Sequence, residues 1–248
     1  MHQIVKITST YQELTVYEAN QMDGKLGKYR FLQFSADAIQ GALNVRCPER
    51  IVLEYPRAII HLLDYNRPFF AKAFMIGHGI GTIARNYEEK RFIVAELDEQ
   101  VAALSKAYFH YRHNNVVIGD GRERLTQEAD GQFDFVVVDA FTSAGTPLHL
   151  VTKEFFRMSA QKLAPGGAII LNLFGRSAHD PLIAAIYTTL LAAFPFAKAF
   201  ALPAEGRRNM LLMASTASIG YEAAAMAGFR EIELEQGYCI SDQAGGGV

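Results

Sequence analysis

The chain has 248 residues, of which 50% are hydrophobic, and a composition like this is typical of a globular protein with a sizeable core. A formal net charge of −2 provides no positive field for a phosphate backbone, so the composition argues against a nucleic-acid partner. Two distant cysteines show neither a disulfide framework nor metal-ligand spacing, and no apolar run approaches the length of a transmembrane helix. We therefore expect a cytoplasmic protein with no metal and no membrane partner.

Two different patterns follow each other in the first quarter of the chain. Residues 2–34 alternate apolar and polar positions around the turn-like stretch MDGK, which predicts a small antiparallel sheet. Apolar residues at helical spacing then predict a helix over about residues 54–66, ended by the stretch NRP. We expect an N-terminal β-hairpin or sheet domain over residues 1–52 and a catalytic domain over residues 53–248.

Short apolar runs alternate with helical patterns in the larger part of the chain. Asp98 can cap the helix that follows the second run, and two further strands are predicted at 197–202 and 209–215. Runs separated by crossover-length segments predict a doubly wound, mostly parallel sheet with helices on both faces, hence a Rossmann-like α/β fold. The five runs are AFMIG, RFIVAELD, NVVIGD, FDFVVVDAF and GAIILNLF.

Polar residues close four of these runs, and ligands of open parallel sheets bind at the carboxyl ends of the strands. The first run ends in the glycine turn Gly77–Thr82, and Glu96 closes the second, where a carboxylate can accept both ribose hydroxyl protons. The glycine spacing GxGxG favours a compact adenosyl ligand over a dinucleotide. Asp120 follows the third run, where it can receive an adenine amino group, and Asp139 follows the fourth. Each acid could be a simple helix cap, but their order along one edge favours a nucleoside site.

These residues belong to a collinear set of motifs that resembles the polyamine aminopropyltransferases, the spermidine and spermine synthases, over residues 8–175. The matches are STYQELTV for the SxYQxIxV opening, Gln40 for the LDGxxQ glutamine, Tyr55 for the YHE tyrosine, Glu96–Asp98 for EID, Gly119–Gly121 for GDG and Val138-Asp139 for the start of DSxDP.

The resemblance implies that decarboxylated S-adenosylmethionine is the donor and that its aminopropyl group moves to an amine by in-line displacement beside a sulfonium. Asp139 and Tyr55 would act on the incoming amine, and the resemblance also implies a homodimer formed through the N-terminal sheet. Together with the glycine turn, it assigns the adenosyl thioether to Gln12, Gln40, Gly77, Gly79, Gly81, Glu96, Asp120 and Gly121.

Four acidic positions of the family carry other residues here, namely Ala36, Arg57, Ile80 and Thr142. In the family these carboxylates neutralise ammonium groups of the donor arm and the polyamine, and a buried ammonium without a partner is costly. We therefore expect an acceptor pocket poor in acids and an acceptor less cationic than putrescine. Asp37 could compensate for Ala36, and Arg57 could pair with an acidic group of the donor or substrate.

Two other functions stay open from the sequence. The missing acids also suit a methyltransferase that uses intact S-adenosylmethionine, and a divergent member could bind a nucleoside without turnover. Residues 139–150 contain Gly and Pro and predict a gate over the reactive carbon, with His149 either a base or a loop residue. His110 and His113 form an HxxH without a third ligand nearby, which does not predict a zinc site.

Overall fold

The chain is organised around two β-sheets in the computed structural model, which describes residues 2–34, 38–142, 145–176, 178–203 and 206–242. The first sheet is antiparallel with the strand order β1-β2-β3-β4, and Met22 pairs with Lys25 at the predicted turn. The predicted N-terminal antiparallel sheet is therefore confirmed. Its strands are β1 (His2–Thr8), β2 (Glu13–Met22), β3 (Lys25–Phe34) and β4 (Ala38–Asn44).

The second sheet has eight strands in the order β12-β10-β11-β9-β8-β5-β6-β7. The pairs among β5 to β9 are parallel, whereas β11 pairs antiparallel with both β9 and β10. The predicted Rossmann-like fold and both additional strands are confirmed. The strands are β5 (Ala73–Ile76), β6 (Phe92–Glu96), β7 (Val116–Ile118), β8 (Phe133–Val138), β9 (Leu163–Gly175), β10 (Phe196–Ala201), β11 (Arg208–Ser215) and β12 (Arg230–Ile232).

Helix ends follow local signals in the sequence. The predicted helix near residues 54–66 is present, and Asp98 caps α3 by accepting a hydrogen bond from the backbone N–H of Gln100. Among the residues that the structure describes, no helix is both long and apolar enough to cross a bilayer. The helices are α1 (Glu54–Asn66), α2 (Thr82–Arg85), α3 (Glu99–Tyr108), α4 (Gly121–Thr126), α5 (Lys153–Lys162) and α6 (Pro181–Leu191).

Three apolar clusters hold these layers together. Alternate residues of the buried strands face opposite sides of the large sheet, so that Phe74 and Ile76 join the cluster that contains α5 and α6, while Met75 joins the one that contains α1. A third cluster packs Leu14 of the small sheet against Leu104 of α3. This contact fixes the N-terminal sheet beside the carboxyl ends of β5 and β6. The division into domains at residues 52 and 53 stays a prediction.

Candidate active site

A cavity of about 220 Å³ lies at the carboxyl ends of β5, β6, β7 and β8. The N-terminal sheet and the loop before β2 close one side of it, and residues of the predicted gate close another. Groups that are far apart in the sequence therefore meet around one cavity at this edge of the sheet. The predicted site residues that line the cavity are Gln12, Gln40, Tyr55, Gly77, Gly79, Glu96, Asp120, Gly121 and Asp139.

Glycine is required at two of these positions because other atoms lie too close for a side chain. A Cβ atom at Gly77 would lie 2.2 Å from the carbonyl oxygen of Asp139, and one at Gly121 would lie 2.2 Å from the side chain of Ile76. Gly81 differs from the prediction, because it does not line the cavity. It begins α2 with a φ of 77°, and a Cβ there would meet the Tyr111 ring at 2.2 Å, so packing explains this glycine.

Glu96 is held in place by backbone amides. Its Oε2 accepts a hydrogen bond from the N–H of His78 at 2.8 Å, and its Oε1 accepts one from the N–H of Asp98 at 2.9 Å. Burial raises the pKa of Glu96, and these amide hydrogen bonds oppose the rise. Each oxygen retains a second lone pair, so the carboxylate can still accept a pair of ligand hydroxyl groups from a fixed position.

Asp120 is both a helix cap and a cavity residue. Its Oδ1 accepts the N–H groups of Arg122 and Glu123 at the start of α4, at 2.9 and 3.0 Å. Its Oδ2 lies 2.9 Å from Nε2 of His149, which the gate segment brings across the cavity. His149 therefore contacts the acid that is predicted to bind adenine. Among the described contacts of Asp139 there is none with His149, so the alternative role of His149 as a base gains no support.

Asp139 accepts hydrogen bonds from two sides. Nδ2 of Asn172 donates to its Oδ1 at 2.8 Å, and the hydroxyl group of Tyr55 donates to the same carboxylate. Burial raises the pKa of Asp139 to about 6, while the two donors act to lower it. Burial and the nearby carboxylate raise the pKa of Tyr55 well above its usual range, so Tyr55 stays a donor. The arrangement provides a carboxylate that is ionised near neutral pH and can still accept a proton.

Two of the four residues that stand at family acid positions lie away from the cavity lining. Arg57 is exposed, donates to the carbonyl oxygen of Leu53 and lies 3.4 Å from Glu54, so its predicted pairing with a ligand in this cavity is not supported. Ile80 is 2% exposed and packs in the cluster that joins the N-terminal sheet to α3. Thr142 lines the cavity, whereas Ala36 and Asp37 lie outside the described residues.

The sequence reasoning missed two polar residues at the site. Asn172 is completely buried and bonds Asp139, and its signal was a lone polar residue inside the apolar run AIILNLF. His78, between two glycines, is 4% exposed and its Nε2 lies 2.7 Å from the hydroxyl oxygen of Ser105. Burial lowers the pKa of His78 to about 4, so this side chain is neutral at physiological pH.

Comparisons with known proteins agree with this architecture. The family model described as Spermine/spermidine synthase domain matches residues 53–203, which is more than half of the chain. A probable spermidine synthase from Corynebacterium glutamicum superposes with a TM-score of 0.83 at 18% sequence identity, covering 98% of this chain and 97% of that one. The first comparison shows the family, and the second shows the fold.

Curated relatives cover different shares of the chain. The polyamine aminopropyltransferase of Vibrio vulnificus is 28% identical over 219 residues, which are 82% of this chain and 69% of that protein. The polyamine aminopropyltransferase of Nitrosomonas europaea is 26% identical over 152 residues, and this match spans 46% of its length.

The chain is a Rossmann-like α/β protein with a cavity at the ends of its parallel strands. Within that class, it belongs to the spermine/spermidine synthase family. The predicted family and the prediction of a transferase are thus confirmed.

Proposed function

We propose that this protein transfers an aminopropyl group from decarboxylated S-adenosylmethionine to an amine, as a step of polyamine biosynthesis. The observation that carries the proposal is the position of Asp139, which shares one cavity with Glu96, Asp120 and the glycine turn. A carboxylate for an amine and a set of groups for an adenosyl thioether thus lie side by side. The names of the curated relatives support the same activity.

The chemistry is a displacement at the carbon beside a sulfonium. The lone pair of the neutral amine forms the new N–C bond, the C–S bond breaks, and its electron pair stays on sulfur in methylthioadenosine. Positive charge therefore moves from sulfur to the attacking nitrogen, and ionised Asp139 stabilises that charge and accepts the departing proton. The donor would be held by Gln12, Gln40, Gly77, Gly79, Glu96, Asp120 and Gly121.

We infer further that the acceptor is less cationic than putrescine. Among the described residues of the cavity lining, Glu96, Asp98 and Asp120 lie at the β6 and β7 strand ends, and Asp139 is the remaining carboxylate. Three positions that carry an acid in the family carry a residue without a carboxylate here, namely Arg57, Ile80 and Thr142. Among the residues that the structure describes, a second ammonium group would therefore lack a carboxylate partner, which disfavours a diamine with two charges.

Calorimetric titration with three ligands tests the donor: decarboxylated S-adenosylmethionine, intact S-adenosylmethionine and methylthioadenosine. The proposal expects tighter binding of the decarboxylated donor, and faster turnover with monoamines than with putrescine. Preference for the intact donor together with methyl transfer would support a methyltransferase instead. Binding of all three ligands without turnover of any amine would support a nucleoside-binding protein.

Asp139→Ala tests the role of the carboxylate. We expect turnover to fall by about 10²–10⁴-fold, because the variant loses the group that accepts the proton, while methylthioadenosine affinity stays within a few-fold of the wild type. Asp130→Ala is the control, because Asp130 is exposed and pairs with Lys162 outside the cavity lining. A fully active Asp139→Ala protein would reject the assignment.

The resemblance also supports a homodimer formed through the N-terminal sheet. Light scattering on the full chain, compared with a variant that carries charges on the exposed face of β1, tests this proposal. The cytoplasmic location stays a prediction.

A further inference from the structure

Three side chains form a hydrogen-bonded row across neighbouring strands at the edge of the cavity. Asp139 follows β8, Asn172 lies on β9, and Asn209 lies on β11. Nδ2 of Asn172 donates to Oδ1 of Asp139 at 2.8 Å, and Nδ2 of Asn209 donates to Oδ1 of Asn172 at 3.0 Å. The strand register explains the row, because Val138 pairs with Leu171 and the residues that follow them become neighbours.

The direction of these hydrogen bonds follows from chemistry. An ionised carboxylate only accepts hydrogen bonds, so Asn172 must present its NH₂ group to Asp139. The carbonyl oxygen of Asn172 then points the other way and needs a donor, which Asn209 supplies. Because Asn172 is completely buried, a reversed amide would leave polar groups without partners and would place an oxygen against the carboxylate.

We propose that Asn172 and Asn209 are positioning residues for Asp139, with Asn172 donating to the carboxylate and Asn209 fixing the direction of the Asn172 amide. Tyr55 completes the arrangement from α1 on the other side of the carboxylate. The inference rests on the proposed function in one respect, which is that Asp139 acts on the amine. Neither asparagine lines the cavity, so both act through Asp139 and not on the ligand.

The other titratable groups on the cavity wall belong to different elements. Tyr55 contacts Asp139 directly, and the remaining groups of the lining are Tyr11, His78, Glu96, Asp98, Asp120 and His149. Within the described part of the chain, the carboxylate of Asp139 accepts side-chain hydrogen bonds from Tyr55 and Asn172. A change at position 172 therefore acts on Asp139 first.

Isosteric substitution separates positioning from packing. Asn172→Asp keeps the volume but replaces the donor by a second carboxylate, so the protonation midpoint of Asp139 should rise by more than about one pH unit. Asn172→Leu removes the donor and should raise the midpoint by about one pH unit, while Asn209→Leu should raise it less. Asn44→Asp is the matched control, since Asn44 is also buried but lies at the end of β4 outside the cavity lining.

The midpoint is measured on the free, full-length protein by carbon-13 NMR of labelled aspartate, with Asp139→Asn used to assign the signal. In the pH profile of kcat/KM for transfer, the acid limb should move to higher pH in the same order of variants. Activity at a given low pH should then fall roughly tenfold for each pH unit by which the midpoint rises, with little change in the KM for the donor. If Asn172→Asp does not fold, Asn172→Leu and Asn209→Leu carry the test.

An unchanged midpoint in a folded Asn172 variant would overturn the inference, as would an equal shift in Asn44→Asp. The NMR titration needs no turnover. If the midpoints shift but no aminopropyl transfer is found, the positioning role of Asn172 and Asn209 stands and the proposed function is rejected. If transfer is found but the midpoints do not shift, the proposed function stands and the positioning role is rejected.

Discussion

At the scale of single residues, Asp139 combines a partly buried carboxylate with two neutral donors. Burial penalises the charged form, and the hydrogen bonds from Asn172 and Tyr55 recover only part of that penalty, so the pKa is raised to about 6. A general base with a pKa near the working pH is effective in proton transfer. The same burial must reduce the stability of the folded protein whenever Asp139 is ionised.

Asp139→Asn should reveal this cost through its pH dependence. In the wild type, the folded pKa of about 6 lies above the ordinary value of 3.8, so the folded state takes up a proton before the unfolded chain does. The contribution of this group to stability is therefore present at low pH and is lost as pH rises through about 6. We expect Asp139→Asn to be more stable than the wild type near about pH 8 and to keep only about half of this advantage near about pH 5, where the unfolded chain is still largely ionised at this position.

Urea denaturation of both proteins at the two pH values measures the difference. Asp130→Asn, at an exposed carboxylate outside the cavity lining, is the control. A constant difference between Asp139→Asn and the wild type would contradict the raised pKa.

At the scale of elements, one apolar cluster joins the N-terminal sheet to the glycine turn and to α3. Ile80 leaves the glycine turn and packs in the cluster with Leu14 and Leu104, and it sits so close to β4 that a Cβ at Gly41 would be 2.7 Å from it. The residue at this family acid position is thus part of the apolar contact between the glycine turn and the N-terminal sheet.

Ile80→Asp should therefore destabilise the protein and not restore a donor site. A carboxylate at a position with 2% exposure and apolar neighbours should cost about 3 kcal/mol or more of unfolding free energy. Ile80→Val is the control and should cost about 1 kcal/mol, because it removes one methylene group only. Urea denaturation gives both values, and normal stability with tighter binding of the decarboxylated donor would show that position 80 faces the ligand.

At the scale of the whole molecule, the C-terminal segment after β12 reaches back to the cavity entrance. Arg122 donates to Asp242 at 2.8 and 2.5 Å and to the carbonyl oxygen of His149 at 3.0 Å. The hydrogen bond from Arg122 lowers the pKa of Asp242 to about 2, so the pair is ionised at physiological pH. Asp242, near the end of the described chain, thus supports the arginine that donates to His149 in the predicted gate segment.

Asp242→Ala should weaken nucleoside binding more than it weakens the fold. Without Asp242, Arg122 loses the partner that orients it, and we expect the dissociation constant for methylthioadenosine to rise about three- to tenfold, equivalent to about 1 kcal/mol. Calorimetric titration measures this change. Glu233→Ala, at an exposed position of the same segment, should bind normally, and equal weakening in both variants would contradict a specific role for Asp242.

The sequence by itself determined most of the strands, though not β4 and β12, the helix that Asp98 caps, and which polar groups end the parallel strands. These features depend on local periodicity, on turn residues and on the rule that ligands bind at carboxyl ends of parallel strands, all of which can be read along the chain. Collinear motifs then identified the family.

Only the tertiary structure decided what each side chain faces. Asn172 becomes a partner of Asp139 because β9 pairs with β8 in one register, and Asn209 joins them because β11 pairs antiparallel with β9. A Cβ at Gly81 would meet the Tyr111 ring, and Arg57 lies outside the cavity lining, although the sequence analysis offered both as ligand contacts. Strand order and register bring together residues far apart in the chain, and local sequence carries no direct signal of either.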